Sequence, residues 1–170
     1  MRSPLVALLL AAPLAADNIE LLQPELIRQM EAVERAVDRS FRSTASGQPA
    51  AVGAARGIYL PGYGTVFSIE VNLVPTTNLS PFRRSYSDDE IRDLNLRKRA
   101  GLEPLRQKMR DILVAEGPGL TKLAPGLEVA LAVSLFHFPW EDRTQLPKQI
   151  VIGAARGTLS GETVLTTRHY

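Results

Sequence analysis

The chain has no cysteine, two histidines, one tryptophan and an aromatic content of 6%. Without cysteine no disulfide staples the fold and no thiolate serves as nucleophile, so burial must supply the stability. The two histidines, His137 and His169, stand apart, and no His-x-x-x-His or Asp-x-Asp-x-Asp spacing occurs. Metal sites need clustered ligands, so neither a metal nor a cofactor is expected. Charge of one sign is also lacking: 20 Lys and Arg stand against 18 Asp and Glu, a net +2. Nucleic acid wants a clustered basic face, and none is expected as a partner. A Gly-rich phosphate loop and a Gly-x-Ser-x-Gly elbow are missing as well. Gly62-Tyr63-Gly64 follows a strand but leads into another strand, so no helix N-terminus is there to hold a dinucleotide phosphate.

The chain begins with an apolar run. Residues 1–16, MRSPLVALLLAAPLAA, combine a cationic start at Arg2, an apolar stretch and small residues before Asp17. This is the pattern of a secretory signal peptide, too short to span a membrane as a mature helix. Export to a bacterial periplasm or the exterior is therefore expected, with residues 17–170 as a single domain and no membrane span in the mature chain.

What remains is legible as elements. From Asn18 to Phe41, Leu22, Leu26, Met30, Val33, Val37 and Phe41 fall three or four apart and predict an amphipathic helix. Glu31–Arg35 and Asp38–Arg42 are i,i+4 pairs on its polar side. Ala54 to Pro75 reads as a hairpin: a strand from Val52 to Leu60, a turn at Pro61-Gly62-Tyr63-Gly64, and a strand in which Phe67, Ile69, Val71 and Leu73 alternate with polar residues. Ser87 and Glu90 form a capping box opening a second helix to about Glu116, with a kink or break near Gly101 ahead of Pro104. Arg97-Lys98-Arg99 on this helix, where acids and bases balance, reads as a solvated face, as does the Arg83-Arg84 pair before it. Leu127–Phe138 is nearly continuously apolar and predicts a central strand covered on both faces. Gln149–Arg156 predicts another strand, and the Thr-rich tail from Glu162 a short final one.

The order α-β-β-α-β-β predicts an α+β domain, with an antiparallel sheet of four to five strands carrying two amphipathic helices. This element order is similar to that of profilin-like and roadblock-type domains; a ferredoxin-like arrangement is the alternative. Leu60-Pro-Gly-Tyr-Gly64 running into VFSIEVNL, with Ser134-Leu-Phe-His-Phe-Pro-Trp-Glu-Asp142 and QIVI, resembles an uncharacterised group of exported bacterial proteins. That resemblance implies export and one domain, and brings no activity with it.

Candidate site residues are few, and no catalytic residue is assigned. Trp140-Glu141-Asp142 places an indole beside two carboxylates after the apolar strand, near the Tyr63 turn if the strand ends align, and would suit a cationic or peptide ligand. The competing reading has Trp140 plugging the core. Val52-Gly-Ala-Ala-Arg-Gly57 recurs as Ile152-Gly-Ala-Ala-Arg-Gly157, so Arg56 and Arg156 would converge on an anion if their strands are neighbours; otherwise the small residues only admit a helix. Ser134, His137 and Asp142 do not make a triad on one flat strand, because Ser134 and His137 face opposite ways. The sequence thus favours a non-enzymatic binding or envelope-assembly module for a protein or small polar ligand. The alternatives are a hydrolase-type enzyme using Glu70, Glu141 or Asp142, and an anion-binding domain.

Overall fold

Pro61 and Gly62 turn the chain through a type II turn: Gly62 has φ +76°, and the Tyr63 N–H donates to the Leu60 carbonyl at 3.0 Å. The hairpin around this turn belongs to a computed structural model that describes residues 23–42, 48–75, 86–141, 145–159 and 166–169. Residues 1–16, Arg83-Arg84 and Asp142 lie outside the described residues. The elements are α1 (Pro24–Phe41), β1 (Ala50–Ala51), β2 (Arg56–Leu60), β3 (Gly64–Asn72), α2 (Asp88–Ala100), α3 (Leu102–Glu116), β4 (Glu128–Leu135), β5 (Gln149–Ala155) and β6 (Thr166–His169).

The fold is α+β, with the helices laid on a mixed sheet ordered β1-β3-β4-β5-β6; β2 pairs with β3 beside β1. The first predicted strand is interrupted, since residues 52–55 make a bend between β1 and β2. The second helix breaks at Gly101, whose N–H donates to the carbonyls of Arg97 and Lys98 at the end of α2, and α3 restarts at Leu102. The capping box of α2 forms as read, with the Glu90 N–H donating to Ser87 Oγ at 3.3 Å and the Ser87 N–H to Glu90 Oε2 at 2.9 Å.

One expectation is overturned. The sheet is not wholly antiparallel, because β3 and β4 run parallel, with Gly64 opposite Glu128 and Val71 opposite Leu135. The chain leaves β3, crosses through α2 and α3, and returns beside the start of β3, the kind of crossover a parallel pair requires. Gly64 makes the contact possible: at φ +137°, a Cβ there would lie 2.0 Å from the Glu128 carbonyl oxygen.

Odd-numbered residues of β3 and β4 and even-numbered residues of β5 meet the helices. Phe67, Val71, Val129, Val133, Ile150 and Ile152 are all fully buried there. The stripe of α1 from Leu26 to Phe41 closes this layer, as do Leu94 of α2 and Leu105 and Met109 of α3. On the opposite face Ala130 and Ala132 are 1% and 6% exposed, so β4 is covered on both faces as its apolar run implied. Among the described residues no helix is long and apolar enough to cross a membrane.

Candidate functional site

The parallel pair decides which candidate residues can meet. The Tyr63 carbonyl accepts the Glu128 N–H at 2.8 Å, so the turn lies where β4 begins. Trp140 follows the other end of β4, about 26 Å away for eight residues of strand. Tyr63 and Trp140 are therefore not neighbours, and the expected shared site does not form. Arg56 and Arg156 are also separated. Arg56 sits on β2 level with Ser68 and Ala132, whereas the Arg156 N–H bonds to Leu127 beyond β5. Three strand spacings (about 14 Å) lie between them across the sheet, and about 16 Å along it. They share no anion.

Around Glu141 the structure builds a sealed cluster. Lys98 Nζ donates to Glu141 Oε1 at 2.8 Å, to Oε2 at 2.6 Å and to the Phe136 carbonyl at 2.9 Å. The Phe138 N–H donates to Glu141 Oε1 at 3.0 Å, and His137 Nδ1 lies 3.3 Å from Oε2. The side chains of Lys98 and Glu141 are 1% and 0% exposed. An internal cation thus already occupies the carboxylate, and neither side chain is open to solvent. Lys98 is not part of a solvated basic face. It continues the stripe Ile91, Leu94, Leu102 and Leu105, and that helical spacing was the signal for its burial.

Trp140 closes this end as packing. Its ring stacks on Phe138 at 5.2 Å and lies 4.3 Å from Tyr86, against the core. Ser134 Oγ accepts a bond from Gln149 rather than meeting His137, and Glu70 is exposed on the face away from the helices.

An open arrangement lies at the β2 edge. In α1, Asp38 Oδ1 accepts the Ala55 N–H at 2.7 Å and Glu34 Oε1 accepts the Gly57 N–H at 2.6 Å. Acids four apart on a helix are spaced about 6 Å, and alternate strand N–H groups about 6.6 Å, so the two ladders match. The helix thereby covers part of an edge that would otherwise be unpaired. One step on, alternation puts the Tyr59 N–H on the same edge, but the helix presents Met30 there instead of an acid.

A pocket of about 430 Å3 opens at that step, lined by Ile27, Met30, Glu31, Glu34, Gly57, Ile58 and Tyr59. Of these, Ile27 and Ile58 are 42% and 55% exposed. Glu31 pairs only loosely with Arg35, at 3.7 Å with both side chains more than half exposed. The sequence did not reveal this groove, because which backbone groups α1 caps depends on tertiary register.

Neither a protein-family model, nor a curated protein, nor a solved structure matches the chain.

Proposed function

We propose that this is a non-enzymatic binding module, which takes an extended segment of a partner protein in the groove between α1 and β2. One observation carries the reading: Ile27 and Ile58 stand exposed in a pocket that also holds two carboxylates, beside the Tyr59 N–H that strand alternation turns to the edge. A segment bearing a Lys or Arg between apolar residues matches all three features. Its ammonium or guanidinium faces Glu31 and Glu34, its apolar neighbours cover Ile27 and Ile58, and a backbone carbonyl accepts the Tyr59 N–H. The leader-like residues 1–16 support placing this activity outside the cytoplasm of a bacterium. A carboxylate-dependent enzyme has less support, since Glu141 is sealed against Lys98 and Glu70 is an exposed residue of the outer face.

The test is a titration of the folded chain with a capped Ala-Leu-Lys-Leu-Ala peptide, followed through backbone amide resonances. Shifts should cluster at Gly57–Tyr59 and at Ile27–Glu34, and a peptide with Glu in place of Lys should not bind. Equal binding of the two peptides, or shifts centred elsewhere, would contradict the reading.

A further inference from the structure

A second cavity, of about 220 Å3, opens on α2 and is lined by Arg92, Asn95, Leu96, Arg99, Gln145 and Leu146. Positions 92, 95, 96 and 99 form one ridge of the helix, and the two arginines start about 10.5 Å apart along it. No acid is among these lining residues. Arg99 Nη1 donates to Gln145 Oε1, which steers the guanidinium and leaves its other N–H groups for a ligand. Arg92 meets Asp89 at 3.4 Å, with side chains 71% and 91% exposed, a pair that solvent screens and a ligand can displace. Between the arginines, Asn95 Oδ1 is buried with no hydrogen-bond partner. A buried acceptor without a donor is costly to leave unmade, so it marks a place where an N–H or O–H belongs.

We infer that this cavity binds a carboxylate with a neighbouring amide N–H, as found in an N-acylated amino acid or at the C-terminus of a peptide. The planar guanidinium fork matches a carboxylate. The amide N–H supplies what Asn95 lacks, and a small side chain rests on Leu96 and Leu146. A free amino acid fits less well, because its ammonium would face two guanidinium groups. Inorganic phosphate, which keeps a P–OH donor at neutral pH, has no apolar part to rest on Leu96 and Leu146. The volume lies below the range of drug-sized sites, roughly 300–1,000 Å3, which suits a ligand of this size.

The experiment is isothermal titration of the full chain with N-acetyl-L-alanine, its amide, inorganic phosphate, and a tetrapeptide ending in a free alanine carboxylate. The acids should bind and the amide should not. Arg92→Gln and Arg99→Gln should each weaken binding by tenfold or more with an unchanged Tm, and Asn95→Asp should weaken it further by adding a like charge. A tetrapeptide that binds ten times more tightly than the acetylated amino acid assigns a chain terminus; equal affinities assign the small acid. Failure of both acids to bind, equal binding of the amide, tighter binding of phosphate, or indifference to the arginine substitutions would overturn the proposal.

Discussion

Two groups of carboxylates in this molecule have opposite fates. Glu141 lies at the carboxyl end of β4, fully buried, with Lys98, a backbone N–H and His137 around it. Glu34 and Glu31 lie along the β2 edge, where Glu34 holds the Gly57 N–H and both border an open pocket. Desolvation separates them. A buried carboxylate must be neutralised and hydrogen-bonded where it sits, whereas a carboxylate at a groove can wait for an outside partner. The same side chain acts as a lock in one place and as a recognition element in the other.

The sharpest way to break this contrast is to remove one member of the lock. Glu141→Ala leaves the Lys98 ammonium buried without its counter-charge and should lower unfolding stability by about 3–5 kcal/mol in denaturant titration. At the edge, Glu34→Ala frees only a half-buried N–H and should cost about 1 kcal/mol, while abolishing discrimination between the Lys and Glu peptides. Ile58→Asp, on an exposed position, should alter stability by no more than about 0.5 kcal/mol and weaken peptide binding tenfold or more. If Ile58→Asp unfolds the protein, the groove belongs to the core and the contrast fails.

The smallest effect is expected at Glu103, whose carboxyl the Arg106 hydrogen bond, aided by Arg110, holds below the usual carboxylate range. A lowered native pKa stabilises the fold above the unfolded value and loses that contribution as pH falls through the native one. Glu103→Gln should therefore trim stability slightly at neutral pH and make no difference in strong acid. Equal losses at both pH values would show that the effect is not electrostatic.

Much of the frame was legible in the sequence. The period of α1, the capping box at Ser87, the alternation of Phe67–Leu73, the turn at Pro61-Gly62 and the break at Gly101 are local signals, and each forms in the structure. The direction of β4 was not legible, since it depends on where the two crossover helices deliver the chain, and with it went the position of Trp140 relative to Tyr63. The hexapeptide repeat shows the same limit. Gly53 sits in an exposed bend with nothing within 4 Å of an added Cβ, whereas Gly153 is a buried strand residue against Glu128 and Ala130. Nearly identical segments take different structures because their surroundings differ, so the repeat does not make a paired site. Lys98 could have been read, because its place in the stripe of α2 outweighed its basic neighbours.

The central claim is that Lys98 and Glu141 act as one structural unit. A double-mutant cycle of unfolding free energies for Lys98→Met, Glu141→Leu and the pair tests it directly. If each charge exists to neutralise the other, each single change is severe, and the double variant is at least about 2 kcal/mol more stable than the summed losses predict. Losses that add to within about 0.5 kcal/mol would mean the two charges are independent, and the lock would have to be abandoned.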